Sequence, residues 1–326
     1  MLENQVEIGG YFEFDLPNLG HFPYPDAIKY NSAQSAFFDL LNQTNIKKIW
    51  MPKFICDSMI RPLRKLGIDV QYYDLEQDFY PKLPNDLKED EYLFYVNYFG
   101  LCTSLQKKLL SNYSHKKIIF DHSQAFFIPP FECLGTIYSP RKFLPVAEGG
   151  LLISKVLVAA QYSTSRDIAE MIHQYQHCFV RRLSNAPEAY ETFKYNEMLL
   201  SNGKPKKMSG ITEDLLNSLD YPSFKEIRLS NFRFLHSQLK EINQLQIGFE
   251  DIESPLTYPL LLDVNISSQL IKNKIFTPTY WLDSLERVVV DSFEYDFISN
   301  TTHLICDQRY SLREMQIQIN MVKEYL

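Results

Sequence analysis

Lys142 lies in "YSPRKFLPVAEGGLLIS" (138–154), after a proline turn, among apolar residues and just ahead of Glu148-Gly149-Gly150. An amine held in an apolar pocket has a lowered pKa, so part of it is neutral and nucleophilic near neutral pH. That property suits Schiff-base chemistry with a carbonyl. In an α/β protein the commonest partner for it is pyridoxal 5'-phosphate. This cofactor needs a lysine, a carboxylate for its ring nitrogen, donors for its phosphate and a surface against its ring.

Each requirement has a candidate. Asp121 ends the apolar run "KKIIF", where a carboxylate can keep a pyridine nitrogen protonated and make the ring an electron sink. Gln124, three residues on, can reach the ring's phenolic oxygen. The helix expected to begin near Ser32 in "NSAQSAF" offers the backbone N–H groups of Ala33, Gln34 and Ser35 as a phosphate cradle. Taken singly, each has a plainer reading. A lysine before a Gly-Gly turn is commonly solvated, an aspartate at a strand end commonly forms a turn or caps a helix, and "NSAQS" alone is a helix start. Their order and shared topology favour the chemical reading.

The elements that must hold these residues can be read from apolar spacing. "SAQSAFFDLLNQ" (32–43) is helical, with Phe37, Leu40 and Leu41 on one face and Ser32 as cap. "KKIWMP" (47–52) is a strand ended by proline, and "CDSMIRPLRKLG" (56–67) is a helix stopped by Gly67. "DVQYYDL", "YLFYVNYFG" (92–100) and "KKIIFDHS" (116–123) give strands, with the helix "SLQKKLLSNY" between the last two. "GTIYSP" and "GGLLIS" are strands on either side of the lysine loop. This alternation predicts a three-layer α/β/α unit with a mainly parallel sheet, whose ligand crevice lies beyond the strands' carboxyl ends. Asp121, Asn97 and Ser32 are all expected to face it.

Residues 156–210 are helical and polar, with a long loop at "SNGKPKKMSG" (201–210). "SFKEIRLSNFRFLHSQLKEINQL" (223–245) is an amphipathic helix leading into a smaller α+β unit. That unit has strands at "TYPLLLDV" and "RVVVDSF" and a closing helix, "LREMQIQINMVKEYL". The expected division is an N-terminal arm (1–27), a large cofactor-binding domain (28–222) and a small C-terminal domain (223–326).

Composition excludes several classes. A net charge of -7 over 326 residues argues against a duplex nucleic-acid partner, which needs a basic face. No apolar run is long enough for a membrane helix, and the N-terminus has no signal-peptide core. The five cysteines are scattered and form no C-x-x-C pair, so the expectation is a reduced, cytoplasmic protein without a zinc site.

Together the motifs resemble the sugar aminotransferases of the DegT/DnrJ/EryC1/StrS family, which have the aspartate aminotransferase-like fold type I of pyridoxal-phosphate enzymes. "KFLPVAEGG" resembles that family's lysine and "GEGG" segment, and "DHSQA" its "DxxQA" segment. "NSAQSAF" resembles its phosphate-binding helix start, "MPKFICDS" its proline loop, "VNYFG" its "VHLYG", and Arg228 and Asn231 in "KEIRLSNF" a later motif. The resemblance covers residues 28–155 best. It implies that Lys142 carries the cofactor, Asp121 holds the ring nitrogen and Gln124 the phenolic oxygen.

Where the family has a phosphate-binding serine, this chain has Ile137, which shifts that role to Ser139 or Thr136. Where the family has a stacking aromatic after its proline loop, this chain has Ile55 and Cys56, leaving Phe54 or Tyr98. The family's cross-dimer asparagine–arginine pair is not recognisable, and Lys207 is the candidate replacement. The resemblance further implies a homodimer, glutamate as amino donor and a nucleotide-linked keto sugar as acceptor, in surface-polysaccharide or related sugar biosynthesis. The alternatives are a pyridoxal-phosphate sugar dehydratase or other non-transferring enzyme, and a degenerate protein with a scaffold or regulatory role. Known dehydratase relatives replace the lysine, so its retention favours transamination.

Further signals carry two readings each. Gly9-Gly10 can border the site or belong to an arm packed on the surface. Tyr280 and Trp281 can stack on a sugar or base, and Arg309 can hold a diphosphate, against core packing and a local ion pair. His122 can tune Asp121 or fill the core. His173 and His177 have metal-compatible spacing but no third ligand in view, and no metal is expected.

Overall fold

The computed structural model describes residues 8–12, 14–156, 162–164, 168–248 and 251–326. Parts of the expected arm (1–7 and 13) and of the polar stretch after 155 (157–161 and 165–167) lie outside the described residues.

In chain order the elements are β1 (Ile28–Tyr30), α1 (Ala33–Gln43), β2 (Lys48–Pro52), α2 (Asp57–Leu66), β3 (Asp69–Tyr73), β4 (Glu91–Val96), α3 (Thr103–Asn112), β5 (Ile118–His122), β6 (Gly135–Tyr138) and β7 (Gly150–Ile153). There follow α4 (Ile168–Leu183), α5 (Ala186–Asn202), α6 (Gly210–Asn217), α7 (Tyr221–Leu239), β8 (Thr257–Leu261), α8 (Ser267–Lys272), α9 (Phe293–Asn300), β9 (Thr301–Ile305) and α10 (Leu312–Glu324).

Among the described residues, seven strands form one sheet in the order β1-β7-β6-β5-β4-β2-β3. The strands from β2 to β6 run parallel, while β7 is antiparallel to both β6 and β1. A parallel sheet covered on both faces needs continuously apolar strands. β5 supplies Ile118, Ile119 and Phe120, all fully buried. Local signals set the helix ends. Ser32 Oγ accepts the Ser35 N–H at 3.1 Å to start α1, and Gly67, with φ at 65°, stops α2 in the left-handed conformation that glycine adopts freely. The buried face of α1 (Phe37, Leu40, Leu41) packs toward β1, β6 and β7.

The C-terminal residues form a two-stranded antiparallel sheet, β8 with β9, against α7 and α10. Here one expectation is corrected. "RVVVDSF" is not a strand: Val289 and Val290 are exposed, Asp291 takes a left-handed φ of 66°, and Ser292 caps α9. The strand that pairs with β8 is "TTHLI", which alone has both a partner and a buried setting. The amphipathic helix expected over 223–245 runs from Tyr221 to Leu239 and ends in a turn.

Candidate active site

The carboxyl ends of β5 and β6 and the start of α1 meet at one narrow cavity. Its walls include Ser32, Ala33 and Gln34 from α1 and Asp121, Ser139 and Lys142 from the strand ends. Cys56, Ser58 and Met59 of α2 and its N-cap close a second side, and Trp281 comes from the C-terminal half. The volume is about 50 Å³, room for no more than a few waters by the usual measure.

Lys142 ends a short 3-10 turn, Pro140–Lys142, that leaves β6 directly. Pro140 starts the turn, and Lys142 N donates to Ser139 O at 3.3 Å. The next carbonyl, Phe143 O, accepts from Gln308 Nε2 at 2.7 Å and Arg228 Nη2 at 3.3 Å. Arg228 is buried, and its guanidinium lies 4.7 Å from the Phe143 ring centre. The lysine's backbone is therefore fixed by residues of α7 and of the loop after β9. Burial pushes the Lys142 ammonium down from its ordinary range, and the neighbouring Cys56 and Asp121 oppose that shift.

Asp121 is buried at 2% exposure, and its Oδ1 accepts the Ser123 N–H at 2.7 Å. Burial raises its pKa, while Lys142 pulls it down. The pair thus shares one desolvated space.

The paired glycine has a steric reason. A Cβ on Gly150 would lie 2.1 Å from both Ser32 C and Ser32 O, and 2.5 Å from Ala33 N. Only glycine lets β7 run this close to the start of α1. Gly149 N donates to Asn31 O at 2.8 Å from a left-handed φ of 127°, which further favours glycine there. Glu148 Oε1 accepts from Ser209 N (2.8 Å) and Thr212 Oγ1 (3.0 Å), tying this segment to the first turn of α6.

Several expected residues are placed elsewhere. Gln124 does not line the cavity; its Oε1 accepts the Phe99 N–H at 3.1 Å, and its Nε2 is buried without a partner. Phe54 and Tyr98 also lie outside the lining. Their rings stack on each other at 5.3 Å and 4°, behind Trp281. Asn97 is turned into the core toward Thr103 and Gln106. Ile137 sits in the core opposite Asp121, and Ser139, the next residue but one, reaches the cavity.

Gly9 and Gly10 are exposed and away from the cavity lining. Tyr280 packs on Phe99 and His303, and Arg309 pairs with Asp307 at 2.6 Å. His122 is a core histidine bonded to Gln106, with its pKa lowered to about 3 by burial. Lys207 forms isolated bridges with Tyr30 and Thr164, beside β1.

Sequence reasoning missed Cys56, Ser58, Arg141, Leu200 and Ser201 as cavity residues. Arg141 could have been found as the neighbour of Lys142; it pairs with Glu197 of α5. From Arg141 and Lys142 a wider groove of about 880 Å³ extends past Arg181, Arg182 and Arg309.

No family model and no curated protein matches the sequence. Solved structures do match in fold. Spr1654 of Streptococcus pneumoniae, assigned as a sugar aminotransferase and solved in its pyridoxal-phosphate form, is 17% identical, with 93% of this chain and 88% of that chain covered and a TM-score of 0.61. PseC of Helicobacter pylori, an aminotransferase in pseudoaminic acid biosynthesis, is 16% identical, with 91% and 86% covered and a TM-score of 0.61. DesI, solved with its TDP-sugar product, is 14% identical, with 94% and 81% covered and a TM-score of 0.63. The chain has the fold of the sugar aminotransferases.

The donor set of the cavity fits the cofactor that this fold carries in Spr1654. It combines a desolvated amine, a buried carboxylate, the hydroxyls of Ser32 and Ser139, and the amino end of an 11-residue helix that glycine holds in place. The unpartnered Nε2 of Gln124, three residues after Asp121 in sequence, is a spare buried donor outside the cavity lining.

Proposed function

We propose that this protein is a pyridoxal-phosphate aminotransferase that aminates a nucleotide-linked keto sugar with glutamate as donor. The observation that carries the reading is the meeting of Lys142, Asp121 and the start of α1 in one desolvated cavity at the strands' carboxyl ends. When bound, the cofactor supplies an aldehyde that captures an amine and a ring that withdraws electrons. Lys142 would hold it, and the free amine would take and return the proton at the reacting carbon. Burial lowers its pKa, which favours the neutral form that this work requires. Asp121 would hold a proton on the ring nitrogen by its charge, a role that burial strengthens. Ser32, Ser139 and the N–H groups of Ala33 and Gln34 would take the phosphate.

The groove beyond Lys142 supports an anionic acceptor. Arg181 and Arg182 line it with Arg141 and Arg309, which are paired with Glu197 and Asp307, and guanidinium groups suit a diphosphate. DesI was solved with a TDP-sugar, so a substrate of that class is accommodated by this fold. The reading includes a homodimeric, cytoplasmic enzyme of surface-polysaccharide or related sugar biosynthesis.

The purified protein is expected to turn yellow with pyridoxal phosphate and to lose that colour on mixing with glutamate. A set of keto-sugar nucleotides should then restore it, and the one that does so names the acceptor. A protein that ignores the cofactor would sink the reading. Asp121→Ala is expected to keep measurable cofactor binding but to slow the half-reaction with glutamate by ~10²-fold or more, as for loss of one preorganised electrostatic group. Stopped-flow absorbance checks this, and an unchanged rate removes Asp121 from the mechanism.

A further inference from the structure

Among the described residues that line the cavity with Lys142, Trp281 is the aromatic one, and the reaction chemistry assigns it no role. It lines the cavity, and Lys142 Nζ lies 5.8 Å from the centre of its ring. Its own backbone is unusual: φ is 45° and ψ 73°, a left-handed conformation that bulky side chains avoid. Strain of this kind persists only where the surroundings impose it.

The surroundings here are specific. The Trp281 carbonyl accepts from Ser284 N at 2.9 Å, opening a 3-10 turn over Leu282–Glu286. Asp283 Oδ2 accepts the Asp57 N–H at 2.6 Å, at the first residue of α2. Arg287 donates to Lys53 O at 3.3 Å and also binds Ile55 O and the Asp57 carboxylate. The turn is therefore clamped on the loop between β2 and α2. Behind the indole, the Phe54 ring lies 5.0 Å away at 60°, and Phe54 in turn stacks on Tyr98. The aromatic side chain of that loop, Phe54, thus supports Trp281, and among the described residues that line the cavity the indole is the one aromatic ring.

We propose that Trp281 positions the cofactor ring against Lys142, supplying from the C-terminal half the aromatic face that the loop after β2 does not present. This rests on the function proposed above. The cavity of about 50 Å³ is smaller than a pyridine ring with its substituents, so side chains that line it must shift as the ring enters, while the clamped turn keeps Trp281 on the side of Lys142.

The test uses the full chain freed of bound cofactor. The sequence has two tryptophans, so Trp50→Phe leaves Trp281 as the only one. Adding pyridoxal phosphate to that variant is expected to quench most of its tryptophan emission. In parallel, Trp281→Ala should raise the cofactor's dissociation constant about two- to tenfold, the range expected for a lost aromatic contact, while Trp281→Phe stays near wild type.

Uptake of cofactor by Trp50→Phe with undiminished emission overturns the proposal. So does Trp281→Ala binding as tightly as wild type, or more tightly, which would make the indole a plug. A wild-type chain that takes up no pyridoxal phosphate overturns the proposed function first, and this inference with it. If Trp281→Ala fails to fold, the emission of Trp50→Phe decides the matter.

Discussion

Lys142→Ala is expected to be colourless once free pyridoxal phosphate is removed and to transaminate at less than ~10⁻³ of the wild-type rate, the scale of a lost general acid–base group compounded by loss of the covalent anchor. The backbone around residue 142 is held without help from its side chain. Phe143 O is fixed by Gln308 and Arg228, and Lys142 N by Ser139 O. The substitution should therefore leave the fold intact, which circular dichroism and the unfolding midpoint can confirm. It also removes the charge that opposes the effect of burial on Asp121, so that carboxyl group is expected to take up a proton more readily. A folded chain with no colour and no turnover is the expected combination. Lys142→Arg separates charge from chemistry. A guanidinium stays protonated, so it keeps the charge beside Asp121 but cannot act as nucleophile or base. Retained colour and turnover in either variant would remove Lys142 from the reaction.

Much of this site was legible in the sequence because its parts obey short-range rules. Ser32 precedes an apolar-periodic run, Asp121 ends an apolar strand, and Lys142 lies between a proline turn and a glycine pair. Each of these is decided within a few residues. The sheet between β2 and β6 was legible for the same reason, since buried parallel strands are continuous apolar runs.

What failed depends on distant parts of the chain. Phe54 lies two residues before Cys56 of the cavity and Tyr98 stacks on Phe54, yet neither lines the cavity; Trp281, whose approach is set by the contacts of Asp283 and Arg287 with the start of α2, packs against both. Gln124 points to Phe99 because that residue's N–H, at a left-handed φ of 56°, has a buried donor to satisfy. "RVVVDSF" has strand composition, but Asp291 and Ser292 are turn and cap residues in it, and β-propensity yields to context. Short apolar runs are ambiguous in this way whenever the partner strand is not known.

The glycine pair has the second large expected effect, and it connects the fold to the proposed chemistry. Gly150→Ala places a methyl group 2.1 Å from Ser32 C and O, which is backbone and cannot turn aside as a side chain can. Either β7 or the start of α1 must move. β7 is paired on both sides, Leu151 with Tyr138 and with Lys29, so its position is fixed by the sheet. The start of α1 should therefore be displaced, and it carries Ser32, Ala33 and Gln34, the residues assigned to the phosphate. The expected loss of stability is about 3 kcal/mol or more, at the upper end for overpacking, together with a cofactor affinity reduced beyond that of any single phosphate ligand.

Gly135→Ala is the control. Its Cβ would meet Leu40 Cδ2 at 2.9 Å, the far end of a side chain that can rotate, so its loss should be smaller, about 1–2 kcal/mol. Chemical denaturation measures the first effect and cofactor titration the second. A Gly150→Ala chain as stable as Gly135→Ala, or one that binds pyridoxal phosphate normally, would show that α1 is not held where the phosphate cradle requires it.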